Sequence, residues 1–196
     1  MPHYVLREDQ ALVIVDCQND FADPNGSLYV RGGEEIAVAI NEMVIEAGRQ
    51  GVPVFYTQDW HPDSTPHFEK DGGIWPVHCV MGTWGAEIHP ALAVEGPVVR
   101  KGANGEDGYS GFTMRDPESG EEQATELAAL LTKTNASQLV VCGLALDYCV
   151  KATALDGLRL GWKVTLPLAL TAAVDLNPGD GDRSITELSA AGATVV

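Results

Sequence analysis

The chain of 196 residues is 45% apolar and fits a single domain, over residues 1–196, that buries most of its apolar surface. Its formal net charge of −16 argues against a nucleic-acid or membrane partner, because either would require a basic patch. The polar N-terminus has no signal-peptide pattern and no apolar run approaches a membrane span, so we expect a cytoplasmic protein with reduced cysteines.

Short apolar runs alternate with segments of helical periodicity along the chain. Residues 11–15 are continuously apolar, as expected for a strand that is covered on both faces. Strands are predicted at residues 11–15, 52–56, 97–100, 139–142, 163–166 and 194–196, and helices at residues 33–49, 121–131, 147–158 and 183–191. This alternation predicts an α/β fold: a single-domain, doubly wound, mostly parallel sheet with helices on both faces.

Four side chains that commonly bind metals lie close together in the sequence, at and after the end of the second predicted strand. Asp59 and His61 are two residues apart, so in an extended chain they point to the same side, and His67 and His78 return from a long irregular loop. Three imidazoles and a carboxylate suit a divalent transition metal such as zinc, iron or manganese. The alternative is a histidine-rich loop whose side chains cap turns or face solvent.

Chemically capable residues also follow the other predicted strands. Asp16 ends the first strand, Lys101 ends the third, and Cys149 follows the fourth, so all lie at the carboxyl edge where α/β sheets bind ligands. A thiol in the first turn of a helix favours the thiolate, and the unpaired N–H groups there can hold an oxyanion. The alternatives are a buried apolar cysteine, a turn-capping aspartate and a solvated lysine.

Together these segments resemble the nicotinamidases of the isochorismatase-like cysteine hydrolase superfamily. The resemblance covers nearly the whole chain, in order, through residues 15–21, 58–62, 67–68, 75–79, 101–102, 109–112 and 143–150. The Asp, Lys and Cys alone are typical of the superfamily. The Asp-x-His, His and Trp-Pro-x-His elements narrow it to the metal-containing nicotinamidase branch.

The resemblance implies a role for each of these residues. Asp16, Lys101 and Cys149 would form the catalytic triad, and the N–H groups of Ala145 and Cys149 the oxyanion hole, beside a cis bond between Leu144 and Ala145. One divalent ion, zinc before iron or manganese, would be bound by Asp59, His61, His67 and His78. The substrate pocket would be lined by Phe21, Trp75, Leu144 and Tyr109, with the first two as aromatic walls around a flat pyridine ring.

The implied activity is hydrolysis of nicotinamide to nicotinate and ammonia through a cysteine thioester, in NAD salvage, with pyrazinamide as a further substrate and a homo-oligomer as a possible assembly. One alternative is a sister amidase acting on another small amide or urea derivative. Others are a non-catalytic metal-binding protein and a conventional zinc hydrolase in which the thiol is irrelevant. The acidic, glycine-rich stretch 104–108 departs from the family pattern and is expected to affect ring selectivity.

Overall fold

The centre of the molecule is a parallel sheet, seen in a computed structural model that describes residues 4–196. The strands in chain order are β1 (Gln10–Val15), β2 (Val54–Asp59), β3 (Val98–Lys101), β4 (Thr113–Arg115), β5 (Glu122–Ala124), β6 (Gln138–Leu144), β7 (Lys163–Leu166), β8 (Thr171–Ala172) and β9 (Thr194–Val195). The order across the sheet is β3-β2-β1-β6-β7-β9, β8 pairs with the end of β6, and all these pairings are parallel. Strands β4 and β5 form a separate antiparallel hairpin.

Helices cover both faces of the sheet. They are α1 (Asn19–Ala22), α2 (Gly33–Gln50), α3 (Leu127–Leu131), α4 (Lys151–Arg159) and α5 (Asp180–Ala190), with a π-helical turn at Leu146–Val150. Because successive strand residues point to opposite faces, Ile14 joins the core under α2 while Val13 joins the core under α3, α4 and α5. The predicted doubly wound architecture is therefore confirmed. No helix within residues 4–196 is long and apolar enough to span a bilayer.

One predicted helix is wrong over half its length. Residues 121–131 were expected to be helical, but β5 occupies Glu122–Ala124 and only Leu127–Leu131 is an α-helix. The three β5 residues are exposed and offer no apolar face to bury, so pairing with β4 satisfies their backbone instead. The Thr125 hydroxyl accepts a hydrogen bond from the Leu127 N–H at 3.2 Å, which starts the helix two residues later.

The strand register brings the carboxyl ends of the four site-bearing strands together. Asp59 and Lys101 are direct partners at the ends of β2 and β3, and Val15 pairs with Gly143 where β1 meets β6. Gly143 has a φ of +113°, and a Cβ there would lie 2.1 Å from the Val15 carbonyl oxygen. Only glycine fits this crossing, after which the chain turns into the π-helical segment that carries Cys149.

Candidate active site and metal centre

Asp16, Lys101 and Cys149 meet in a buried cluster at this edge, as the sequence predicts. The Lys101 Nζ lies 2.8 Å from Asp16 Oδ2 and 3.5 Å from Cys149 Sγ. The Thr57 hydroxyl donates a hydrogen bond of 2.6 Å to the other oxygen of Asp16. Asp16 Oδ2 accepts no well-aligned hydrogen bond from the residues that the structure describes, so it retains a lone pair that can receive the thiol proton.

Burial of Cys149 opposes the tendency towards the thiolate that a helix terminus would give it. Cys149 lies in a π-helical turn and is buried, and this burial raises the pKa of its thiol well above the usual value although Lys101 opposes the shift. Burial also raises the pKa of Asp16, again against the effect of Lys101. Since burial favours the neutral thiol, the thiolate needs a base to form, and Asp16 is placed to be that base.

Lys101 also contacts the carboxylate that the sequence assigns to the metal. Its Nζ lies 2.6 Å from Asp59 Oδ1, a contact that sequence analysis did not predict. Burial alone would raise the pKa of Asp59, but the charge of Lys101 and the neighbouring His61 ring together hold it well below the usual range. One ammonium therefore joins the triad to the candidate metal centre.

The three predicted histidine ligands converge beside Asp59. Ring nitrogens of His61, His67 and His78 all lie within 4.8 Å of one another, and Asp59 Oδ2 lies 3.7 Å from His61 Nε2 and 4.0 Å from His78 Nε2. Zinc binds such donors at about 2.0–2.2 Å, so donors on opposite sides of one ion are about 4 Å apart. The three imidazoles, two of which have a ring nitrogen within 4.0 Å of Asp59 Oδ2, are close enough together to hold a single divalent ion.

The hydrogen bonds around the imidazoles also fit metal binding. Both nitrogens of His61 are buried without a hydrogen-bond partner among residues 4–196, which is costly unless a bound group satisfies them. The Pro76 carbonyl lies 2.7 Å from His78 Nδ1 and accepts a hydrogen bond from it, which leaves the lone pair of Nε2 free to bind a metal. Burial lowers the pKa of His78 to about 4, so this ring is neutral at physiological pH, as a ligand must be.

A mostly apolar pocket opens beside Cys149 and the histidines. It contains all four side chains predicted to bind substrate and adds four that the sequence analysis missed; its main lining residues are Phe21, Trp75, Leu144, Tyr109, Leu28, Val30, Tyr148 and Val174. Trp75 donates a 3.1 Å hydrogen bond to the Tyr109 hydroxyl. Its ring also packs edge-on against the Tyr148 ring, with 4.9 Å between the ring centroids. The bond between Leu144 and Ala145 is cis, as the resemblance implies.

Two polar residues of the segment after Asp16, Gln18 and Asp20, hold the backbone beside the candidate metal ligands, although sequence analysis assigned them no role. The Gln18 side chain bonds both backbone groups of Asp59, accepting from its N–H at 2.8 Å and donating to its carbonyl at 2.7 Å. The Asp20 carboxylate accepts a hydrogen bond of 2.7 Å from the N–H of Cys79, the residue after the candidate ligand His78. The available signal was their polarity: buried polar side chains need partners, and these partners are the backbone of the ligand segments.

Comparisons with known proteins agree with this geometry. The family model for the isochorismatase domain matches residues 10–196. A nicotinamidase of Escherichia coli (strain K12) is 36% identical, covering 95% of this chain and 93% of its own length. The solved pyrazinamidase of Pyrococcus horikoshii in complex with zinc superimposes with a TM-score of 0.84 at 34% identity, over 96% of this chain and 98% of its own.

A second solved structure, PnC1 from L. infantum in complex with nicotinate, gives a TM-score of 0.84 at 38% identity and covers 96% of this chain and 92% of its own. The residues matched by the family model include the whole sheet and every loop that carries a candidate site residue. The chain therefore belongs to the isochorismatase family.

Proposed function

We propose that the protein is a nicotinamidase, which hydrolyses nicotinamide to nicotinate and ammonia through a thioester on Cys149. The observation that carries the proposal is the position of Lys101, whose buried ammonium lies within 3.5 Å of the thiol sulfur, the Asp16 carboxylate and the Asp59 carboxylate. A base, a nucleophile and a metal-side carboxylate thus share one cation. The nicotinamidase and the nicotinate and zinc complexes among the relatives support the same assignment.

The first half-reaction forms the thioester. Phe21 and Trp75 hold the flat ring so that the carboxamide lies over Cys149, and Asp16 takes the proton of the thiol. The thiolate sulfur then bonds to the carboxamide carbon, and the N–H groups of Ala145 and Cys149 hold the oxyanion. Asp16 returns the proton to the amine nitrogen as the C–N bond breaks, and ammonia leaves.

The second half-reaction hydrolyses the thioester. A water molecule loses a proton to Asp16 and attacks the same carbon, and the C–S bond breaks. The sulfur recovers the proton, which restores the thiol and releases nicotinate. Throughout both steps Lys101 stays charged between the two carboxylates, because their charges raise its pKa well above the usual value against the lowering effect of burial.

The ion that we propose for the metal centre is zinc, held by Asp59, His61, His67 and His78; iron and manganese accept the same donors. When bound, such an ion supplies a Lewis-acidic point that orients the ring nitrogen of the substrate. We also propose pyrazinamide as a second substrate, since it presents the same carboxamide on a flat ring. A cytoplasmic location and a role in NAD salvage complete the proposal, the first supported by four free, buried cysteines.

The test is ammonia release from nicotinamide by zinc-loaded protein, with and without chelator, beside the variants Cys149→Ala and Cys142→Ala. Cys142 is the matched control, because it is a buried thiol of β6 whose sulfur forms one hydrogen bond among the described residues, to the Val13 carbonyl at 3.8 Å. We expect release from the wild type and from Cys142→Ala, and none from Cys149→Ala. Chelation should reduce release.

Three outcomes would contradict parts of this assignment. Activity retained by Cys149→Ala would indicate a zinc hydrolase in which the thiol is irrelevant. Activity unchanged by chelation would remove the metal from the proposal and favour a sister amidase. No release from zinc-loaded wild type would refute nicotinamide as the substrate, and the same assay would then be run on other small amides and urea derivatives.

A further inference from the structure

The acidic loop between Lys101 and Tyr109 packs against the segment that carries His67. The Thr65 hydroxyl donates to the Gly105 carbonyl at 3.3 Å, and Asp107 Oδ1 lies 2.9 Å from His67 Nδ1. The loop therefore contacts the metal side of the pocket. The sequence analysis had expected this stretch to influence the choice of ring.

Asp107 is held in place by backbone interactions of its own. It exchanges two hydrogen bonds with Arg115, the last residue of β4, its N–H donating to the Arg115 carbonyl at 2.8 Å and its carbonyl accepting from the Arg115 N–H at 2.6 Å. The Gly108 N–H donates to the same carboxylate oxygen that faces His67, at 2.8 Å. The carboxylate is thus fixed before any ion arrives.

The contact with Asp107 determines which nitrogen of His67 can bind a metal. A carboxylate accepts a proton from Nδ1, so the lone pair is left on Nε2. Among the described histidines of the cluster, His78 is oriented by a neutral carbonyl and His61 has no hydrogen-bond partner. His67 alone of the three has a carboxylate at its second nitrogen, an arrangement that orients the ring and makes it a stronger donor.

We propose that Asp107 is a positioning residue for the metal centre, which orients His67 through Nδ1 and thereby sets the affinity of the site for zinc. This inference rests on the metal site of the proposed function and adds a residue to it. Asp107 does not touch substrate in this role and takes no part in proton transfer to the thiol. Its effect should therefore appear first in metal binding.

The experiment measures zinc affinity by competition with a chromophoric chelator, for the wild type, Asp107→Ala, Asp107→Asn and Asp63→Asn. Asp63 is the matched control, because it lies exposed in the same loop as the ligands and forms no ion pair or side-chain hydrogen bond within residues 4–196. Asp107→Ala should raise the zinc dissociation constant about 10–100-fold. Asp107→Asn should raise it less, since an amide oxygen still accepts the proton but carries no charge, and Asp63→Asn should leave it unchanged.

Thermal unfolding of the zinc-stripped proteins separates this role from a general loss of stability. We expect all four proteins to unfold at the same temperature, since the Asp107 carboxylate forms hydrogen bonds only with His67 and the Gly108 N–H among the described residues. If zinc-stripped Asp107→Ala is less stable than the wild type, the proposal is tested on the isosteric variant Asp107→Asn instead. A zinc dissociation constant of Asp107→Asn equal to that of Asp63→Asn would overturn the proposal. A wild type that binds no zinc would overturn it too.

Nicotinamide hydrolysis measured on the same wild-type sample keeps this inference apart from the proposed function. Equal zinc affinity in all variants, together with nicotinamide hydrolysis, would refute the role of Asp107 alone. A large effect of Asp107→Ala in a protein that does not hydrolyse nicotinamide would refute the substrate and leave the role of Asp107 standing.

Discussion

Replacing Lys101 by Met should destabilise the protein more than any loss of an exposed ion pair. The side chain is 2% exposed, and its ammonium lies 2.8 Å and 2.6 Å from two carboxylates that are themselves buried. Removing one partner of a buried ion pair costs about 3–5 kcal/mol, because an uncompensated charge stays behind. We expect a loss of this size in the free energy of unfolding, measured by urea titration in chelator so that no divalent ion compensates Asp59.

The loss should also depend on pH, with a sign that follows from Asp16. Burial already raises the pKa of this carboxyl against the lowering effect of Lys101, and Lys101→Met removes that opposition. A carboxyl with a higher pKa in the folded than in the unfolded state binds more protons when folded, so stability falls as pH rises between the two values. The destabilisation should therefore be larger at about pH 8 than at about pH 5.

Lys151→Met is the matched control for this experiment. Lys151 forms a single ion pair with Glu187 at 3.2 Å, and both side chains are partly exposed. Such pairs contribute about 0–1 kcal/mol, so this variant should unfold close to the wild type at both pH values. An equal loss for the two variants, or a loss for Lys101→Met that grows at low pH, would refute the account of Lys101 as the charge that balances two carboxylates.

Two further substitutions test how the site is held. Thr57→Val removes the hydrogen bond that lowers the pKa of Asp16, so the acid limb of the pH profile of kcat/KM should move to higher pH. The free energy of unfolding, measured in urea, should fall by about 1–3 kcal/mol. An unchanged pH profile would contradict the role of Thr57. Gly143→Ala should destabilise strongly, since its Cβ would meet the Val15 carbonyl at positive φ. Gly48→Ala, at an exposed position in the last turn of α2, should stabilise by about 0.5–1 kcal/mol. Both variants are measured by thermal unfolding, and equal effects of the two would contradict the packing argument.

The sheet and the strand-end residues could be predicted because their signals are local. A continuous apolar run such as residues 11–15 indicates a strand buried on both faces, and residues that follow parallel strands must lie at one edge. That is how Asp16, Lys101 and Cys149 could be placed together from the sequence. Their chemical roles came from the family resemblance.

The contacts that cross between loops could not be predicted in this way. The contact of Lys101 with Asp59 depends on the register of β3 against β2, which cannot be read from the sequence. Asp107 lies in an irregular loop without periodicity, so nothing in its surroundings pointed to His67. The effect of burial on Cys149 could not be predicted either, because the helix-terminus argument neglects how deeply the thiol is buried.

The order in which the strands are synthesised affects how the sheet is assembled. Strand β1 can pair with β2 soon after both leave the ribosome, but its other neighbour, β6, begins at residue 138. At about 5–20 residues per second, the central strand waits for several seconds with one bare hydrogen-bonding edge. Cys149 follows β6 and so reaches Asp16 and Lys101 last. A nascent chain therefore contains the loop with His61, His67 and His78 well before it contains Cys149.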